Sequence, residues 1–165
     1  MTVHIEDAKK YITNGLQPYD VIIVDFPDPV DSIISSLYTK ELFSQVASLL
    51  QEDGVLVCQS NSPDDAPRTF WSIGKTIQGA GLHTRGYNTI VPSFGLWGFQ
   101  LATHKKQVDE IPEISVPHQA IEKDMNSLFK IPAAIKFEQR HAILNSVNHL
   151  TLHKLYQDEF IESIY

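Results

Sequence analysis

Apolar residues occur along this chain in short runs that are separated by amphipathic stretches. Residues 19–26 form a near-continuous apolar run rich in valine and isoleucine, for which we predict a strand buried on both faces. Residues 55–60 form a second run of the same kind. Between them, apolar side chains recur at helical spacing behind Thr39, a residue type favoured at the start of a helix. This order predicts an α/β fold with right-handed crossovers.

The alternation of helices and strands continues through the middle of the chain. A second amphipathic helix closes at Gly81, where the conformational freedom of glycine suits a helix end. Residues 83–91 then predict a third strand. We expect a loop at 92–98 and a fourth strand over 99–103 that runs antiparallel to the third.

The two ends of the chain are less regular. Residues 3–7 have the character of a strand end, and residues 8–15 that of a helix. A polar stretch with two prolines covers 105–118 and predicts a connector. Residues 119–165 carry an imperfect apolar stripe at helical spacing. We therefore divide the chain into a sheet domain at 1–104, the connector and a helical carboxy-terminal extension.

The composition suits a soluble globular protein. Of 165 residues, 42% are hydrophobic and 20% are charged, and the net charge is −7. This acidic balance argues against nucleic acid as a general partner, because phosphate binding needs clustered basic residues. The sequence shows neither an apolar run of membrane-spanning length nor a signal-peptide pattern, so no membrane association is expected. The single cysteine, Cys58, rules out an internal disulfide and favours a cytoplasmic location.

Polar residues stand at the ends of the predicted strands. The first long strand runs out at Asp25, and Asp28 follows between two prolines. The second strand ends at Gln59. Ligands of open α/β sheets bind at the carboxyl ends of the strands, so these side chains are expected to share one crevice. Capping of turns is the alternative role for aspartates next to proline.

Four stretches of the sequence resemble the polyamine aminopropyltransferases, the spermidine synthase family, in order and spacing. They are YDVIIVDFPDPVDSIISSLYTKELF, DGVLVCQS, PRTFWSIGKTIQGAG and YNTIVPSFGLWGFQLA. The resemblance covers residues 1–104 and continues more weakly into the carboxy-terminal helices. It implies a partial Rossmann-like sheet of the methyltransferase type, with flanking helices, an antiparallel last strand and carboxy-terminal helices.

The resemblance implies roles for the residues that match the family motifs. Asp25 matches the aspartate that acts as a base on the attacking amine, and Asp28 matches the aspartate that helps to hold the diamine. Gln59 matches a glutamine that lines the amine pocket. Phe94 stands where many members have a tyrosine, and Trp97 is expected to wall the same pocket.

The implied reaction transfers an aminopropyl group from decarboxylated S-adenosylmethionine, a co-substrate, to putrescine and yields spermidine and methylthioadenosine. Asp7 falls where the family has an acidic contact to the adenine amino group, with Ala8 beside it in place of a frequent glycine. An alkyl amine is protonated at neutral pH and attacks only after losing a proton, which a carboxylate can take. No metal and no further cofactor are expected.

Departures from the family pattern leave an alternative open. The glycine-rich nucleotide loop is missing from a chain that holds 8 glycines, and so is the amino-terminal hairpin region of the family. We therefore expect the chain to begin midway through the sheet, with one flank of the first long strand uncovered, and to form a homo-oligomer. The alternative function is that of a shortened, non-catalytic relative that binds polyamine or only oligomerises.

Three histidines are the remaining candidate for a metal site. His149 and His153 lie four residues apart on a predicted helix, and His141 precedes them. The pattern lacks the glutamate of a zinc-protease motif and has no cysteine cluster beside it. Surface histidines are therefore the favoured interpretation.

Overall fold

The computed structural model describes residues 2–15, 17–106 and 125–162. The strands in these residues are β1 (Tyr19–Val24), β2 (Leu50–Gln59), β3 (His83–Val91) and β4 (Gly95–Thr103). They form one four-stranded sheet in the order β1-β2-β4-β3. β1 and β2 are parallel, whereas β4 is antiparallel to both of its neighbours. The predicted α/β fold with an antiparallel last strand is confirmed.

Helices connect these strands and follow them. The α-helices are α1 (Ala8–Tyr11), α2 (Ser32–Ser35), α3 (Lys40–Ser48), α4 (Pro67–Gly79), α5 (Ala133–Phe137) and α6 (Leu152–Glu162), and 3₁₀ helices cover Ser36–Tyr38, Met125–Phe129 and Glu138–His141. As predicted, Thr39 caps α3, and its Oγ1 accepts a hydrogen bond from the Leu42 amide at 3.4 Å. Among the described helices, none combines the length and the apolar character needed to cross a bilayer.

One face of the sheet carries the hydrophobic core. Val24, Leu56 and Ala102 lie on this face of β1, β2 and β4, and all three are buried. They belong to one cluster with Phe43 of α3 and Ile73 of α4. Because both helices contribute to the same cluster, both pack on the same face. Each large apolar side chain buried here contributes about 1.5–3 kcal/mol to stability.

The other face of β1 is open in the described part of the chain. Val21 is 59% exposed and Ile23 is 74% exposed. The prediction that residues 19–26 form a strand buried on both faces is therefore wrong. Successive side chains of a strand point to opposite faces, and the core helices cover only the face that carries Val24.

Two further boundaries differ from the prediction. Residues 92–98 were expected to form a loop, but β4 already begins at Gly95, which pairs with Val91. The φ angle of Gly95 is 79°, a conformation that glycine adopts at little steric cost, so a tight hairpin closes here. At the other end of the chain, residues 3–7 form no strand in the described structure, and α1 ends at Tyr11.

The carboxy-terminal segment is less helical than predicted. Within the expected helical extension, 119–165, the structure describes residues 125–162, where a non-helical stretch at 142–151 separates the 3₁₀ helix after α5 from α6. A β-bridge joins Ser146 and His149 in that stretch. The predicted connector at 105–118 lies almost entirely outside the described residues.

A buried asparagine explains the break before α6. Oδ1 of Asn145 accepts hydrogen bonds from the amides of Thr151 and Leu152 at 3.0 and 3.2 Å. These amides belong to the start of α6, where backbone donors have no partner within the helix. The asparagine thereby helps to define where α6 begins, an arrangement that an apolar stripe does not reveal.

Candidate functional site

Two polar strand ends meet at one edge of the sheet. β1 ends at Val24 and Asp25 follows it, while the parallel neighbour β2 ends at Gln59. β4 runs the other way and pairs Phe99 with Gln59, so its first residues lie at the same edge. The crossover topology therefore brings the predicted residues of β1, β2 and β4 to one place, as the rule for ligand sites in open sheets anticipates.

Asp28 is the centre of a hydrogen-bonded cluster at this edge. Its Oδ1 accepts a hydrogen bond from Nε2 of Gln59 at 3.0 Å, and its Oδ2 accepts one from the hydroxyl of Tyr156 at 2.9 Å. Asp28 itself is half-buried. Asp28 and Gln59, which were expected to lie near each other at the strand ends, form a hydrogen bond, and the structure adds a tyrosine from α6.

The Gln59 amide has a fixed orientation. Its Oε1 lies 3.3 Å from the backbone nitrogen of Asn61, which can only donate, and 3.3 Å from the hydroxyl of Tyr38. A carboxylate, which only accepts, faces its Nε2. Reversing the amide would turn Nε2 toward the Asn61 amide and Oε1 toward the Asp28 carboxylate. These two neighbours therefore determine that Nε2 faces Asp28.

Tyr38 supports the backbone between the two aspartates. Its hydroxyl lies 3.0 Å from the carbonyl oxygens of both Phe26 and Pro27, and the side chain is fully buried. Burial raises the pKa of Tyr38, and the charges of Cys58, Asp28 and Asp25 raise it further. The hydroxyl therefore stays protonated and remains a donor to the turn that carries Asp25 and Asp28.

Asp25 adds a second carboxylate to the site. It is exposed, and its charge raises the pKa values of the buried Tyr38 and Cys58 beside it. In the part of the chain that the structure describes, neither Asp25 nor Asp28 forms a salt bridge with lysine or arginine. Among the described residues, no lysine or arginine neutralises these two carboxylates, and an edge with this charge favours a cationic ligand.

Phe94 and Trp97 lie in the β3–β4 hairpin. Their ring centroids are 5.2 Å apart, and Phe94 is 65% exposed. The next residue, Gly98, donates to the Asn61 carbonyl at 2.8 Å and accepts from the Ser60 amide at 2.9 Å. These two bonds tie the start of β4 to the end of β2, so the aromatic pair stands at the same edge as Gln59.

Asp7 and Ala8 are not part of the hydrogen-bonded cluster. Asp7 caps α1, where its Oδ1 accepts a hydrogen bond from the Lys9 amide at 2.8 Å. Both Asp7 and Ala8 are exposed. Their assignment to a nucleotide contact stays a prediction that rests on the family resemblance.

The histidines do not share a helix. His153 lies in α6, whereas His149 precedes that helix and belongs to the bridge with Ser146. Within the described ranges, no group of three or more histidine, cysteine, aspartate or glutamate side chains is arranged to hold a metal ion.

Tyr156 is the site residue that sequence reasoning missed. The contact joins positions 128 residues apart, and no local pattern marks one tyrosine of an amphipathic helix as different from another. The available signal was the imperfect apolar stripe of the carboxy-terminal segment, which includes Tyr156 but does not indicate a polar contact of its hydroxyl.

Comparison with known proteins identifies the family. Residues 1–113 match the spermine/spermidine synthase domain. Polyamine aminopropyltransferase 2 of Bacillus cereus is 46% identical over 163 residues, and its counterpart in Bacillus anthracis is 43% identical over 164 residues. Each alignment covers 96% of this chain but only 44% and 45% of the respective relative. The chain belongs to the spermine/spermidine synthase family and spans less than half the length of these relatives.

Solved structures agree with the fold. The spermidine synthase of Thermotoga maritima superposes with a TM-score of 0.66 at 20% identity, covering 83% of this chain and 49% of that one. A spermidine synthase in complex with the transition-state analogue AdoDATO superposes with a TM-score of 0.69 at 21% identity, covering 85% and 51%. The Rossmann-like, methyltransferase-type sheet implied by the sequence motifs is thus confirmed.

Proposed function

We propose that this chain carries the amine-binding part of a cytoplasmic aminopropyltransferase that uses decarboxylated S-adenosylmethionine and putrescine to form spermidine and methylthioadenosine. The observation that carries the proposal is the cluster of Asp28, Gln59 and Tyr156, with the carboxylate of Asp25 close to the same Tyr38 hydroxyl. Two carboxylates that follow the same strand would each take one of the two nitrogens of a diamine. Homology to named polyamine aminopropyltransferases supports the same class of reaction.

In the proposed reaction, the neutral nitrogen of the diamine attacks the aminopropyl carbon that is bonded to the sulfonium sulfur. A carbon–nitrogen bond forms, the carbon–sulfur bond breaks, and its electron pair stays on sulfur as a neutral thioether. The proton released by the nitrogen passes to the carboxylate of Asp25. General-base catalysis of this kind contributes about 10²–10⁴-fold to the rate.

Asp28 would hold the distal ammonium group of the diamine. Each of its oxygens accepts one hydrogen bond from the protein, and a carboxylate oxygen can accept a second. An ammonium group placed there would form a charge-assisted hydrogen bond, which is stronger than a neutral one. Holding the far nitrogen fixes the near nitrogen relative to the reacting carbon, and alignment of that kind lowers the entropic part of the barrier.

We place the adenine end of the co-substrate at Asp7 and Ala8. Asp7 lies at the first turn of α1, and one of its oxygens is bonded to the Lys9 amide. The second oxygen would accept the adenine amino group. Phe94 and Trp97 would supply an aromatic wall for the carbon chain of the amine, consistent with their ring contact at the edge of the sheet.

We also propose that the chain forms a homo-oligomer through β1. Val21 and Ile23 expose apolar side chains on one face of that strand. In the described residues, β1 pairs only with β2, so its other edge presents backbone donors and acceptors. Exposed strand edges of this kind favour association with another chain.

The test is detection of the product by mass spectrometry. The 165-residue chain is incubated with putrescine and decarboxylated S-adenosylmethionine, beside Asp25→Asn and a matched control, Asp20→Asn, within β1. Spermidine from the parent and from Asp20→Asn, with at least a 100-fold loss in Asp25→Asn, is the expected result. Absence of spermidine from the parent would exclude transfer by this chain and leave a relative that only binds polyamine or oligomerises.

A further inference from the structure

We infer that α6 belongs to the amine site and that Tyr156 is a positioning residue, which holds the carboxylate of Asp28 in the orientation that binds the distal ammonium of a diamine. This inference rests on the proposed function and deepens it. It assigns a role to a helix that the family motifs of residues 1–104 do not include.

The first support is that two different side chains hold the two carboxylate oxygens of Asp28. Gln59 holds Oδ1 at 3.0 Å and Tyr156 holds Oδ2 at 2.9 Å. The carboxylate cannot turn about its Cβ–Cγ bond without breaking both hydrogen bonds. Its free acceptor positions are therefore fixed before any ligand arrives, and such preorganisation reduces the entropic cost of binding.

The second support is that Tyr156 remains a donor throughout the neutral pH range. Burial raises its pKa, and the negative charge of Asp28 raises it further. A neutral tyrosine hydroxyl can donate its proton to a carboxylate and thereby stabilise the charged form, which is the form that attracts an ammonium group.

The third support is that α6 also holds the loop behind Asp28. Nε2 of Gln157 donates a hydrogen bond to the backbone carbonyl of Val30 at 2.8 Å. Two successive residues of α6 therefore contact positions 28 and 30. The helix is therefore held to this loop at two points, which limits the movement of Tyr156 relative to Asp28.

Glu159 anchors α6 against the rest of the domain. This buried carboxylate accepts hydrogen bonds from the amides of Arg68 and Thr69 at 2.6 and 2.9 Å, and from the Thr69 hydroxyl at 2.6 Å. These donors lie in the first turn of α4, where backbone amides lack helical partners and favour negative charge. The position of Tyr156 along the site is thereby tied to the core helix α4.

Asn145 anchors the other end of α6. In addition to capping the helix, its Nδ2 donates to the carbonyls of Ser35 and Tyr38 at 2.9 and 3.0 Å. Tyr38 in turn supports the turn between Asp25 and Asp28. Both ends of α6 are therefore fixed to elements that build the site, which makes Tyr156 part of a rigid frame.

The experiment is a double-mutant cycle on diamine binding. Dissociation constants for putrescine are measured by titration calorimetry for the parent, Tyr156→Phe, Asp28→Asn and the double variant. Tyr87→Phe is the matched control, since it removes a half-buried tyrosine hydroxyl from β3. Butan-1-amine, which lacks the distal ammonium, is titrated in parallel, and thermal unfolding checks that each variant folds.

We expect Tyr156→Phe to weaken putrescine binding about tenfold, the effect of losing one hydrogen bond to a charged group. The same change should have no effect in the Asp28→Asn background, because a positioning residue acts only through its partner. Binding of butan-1-amine and the Tyr87→Phe control should stay within about twofold of the parent.

Equal putrescine affinity in Tyr156→Phe and the parent would overturn the inference. The inference would also be overturned if Tyr156→Phe weakened putrescine binding equally in the parent and in the Asp28→Asn background. An equal loss of affinity for putrescine and for butan-1-amine would overturn it too, because either result indicates general damage to the fold. A parent chain that binds no diamine would instead overturn the proposed function and, with it, this inference.

Discussion

The hydroxyl of Tyr156 donates a hydrogen bond to the carboxylate of Asp28 at 2.9 Å, although 128 residues separate the two in the sequence. Gln59 holds the other oxygen of the same carboxylate. Asp28 is thus fixed from one side by the sheet and from the other by the carboxy-terminal helix. The candidate amine site is assembled from both parts of the chain, and the stability of α6 becomes relevant to binding.

We predict that Glu159→Gln lowers the free energy of unfolding by about 2 kcal/mol. The substitution keeps one acceptor but removes the charge and turns an amide donor toward the donors at the start of α4. Urea denaturation measures the change.

The control for this prediction is Glu52→Gln. Glu52 pairs with Lys105 at the surface, where its side chain is 80% exposed, and its loss should change the unfolding free energy by less than about 0.5 kcal/mol. Similar changes in the two variants would show that Glu159 is not an anchor of α6.

We predict that the folded state loses stability as pH rises above about 8.5, first through Cys58 and above about 10 through Tyr38 as well. Tyr38 and Cys58 are buried, and burial raises the pKa of each above its ordinary value. Both groups therefore contribute fully to the free energy of unfolding below the pKa values that they have in the unfolded chain. This contribution is lost as pH rises toward their pKa values in the folded chain. Each buried group reduces the unfolding free energy by up to about 1.4 kcal/mol per pH unit in that window.

Tyr38→Phe tests this pH dependence. The variant should be less stable at neutral pH, because the hydroxyl bonds are gone, but its stability should fall less steeply between about pH 10 and 11. Urea unfolding at each pH gives the slope. Parallel slopes for the variant and the parent would contradict the account of Tyr38.

We predict that Ile23→Lys reduces self-association. The substitution places a charge on the exposed face of β1, as natural edge strands do to prevent pairing. Sedimentation velocity should show a shift toward the monomer.

Ile33→Lys in α2 is the matched control for this experiment, because Ile33 is also highly exposed, at 78%, but lies outside the sheet. An unchanged oligomer distribution in Ile23→Lys would show that β1 is not the interface.

Much of the sheet and of its polar edge could be predicted from the sequence because the signals are local. The apolar runs locate β1 and β2, and Asp25, Asp28 and Gln59 follow directly from where those runs end. The cap at Thr39 has a local signal as well, and the structure places it as predicted.

The remaining features depend on contacts between distant residues. An apolar run shows that β1 avoids water but not which element covers each face, so the exposure of Val21 and Ile23 could not be inferred. Asn145 links the start of α6 to the Ser35 carbonyl, and a contact over this distance in the sequence has no local signal. Tyr156 reaches the site from α6, which Glu159 and Asn145 hold in place through contacts with distant residues.

The most direct test of the central claim is a nuclear magnetic resonance titration of the ¹⁵N-labelled chain with putrescine. The side-chain amide of Gln59 faces Asp28, whereas the buried amide of Gln100 donates to the Phe70 carbonyl on the core side of the sheet and serves as an internal control. The account predicts a saturable shift of the Gln59 amide resonances and of the Trp97 indole resonance, with Gln100 unchanged. A Gln59 amide that does not respond to putrescine, or that moves no more than Gln100, would contradict the assignment of this edge as the amine site.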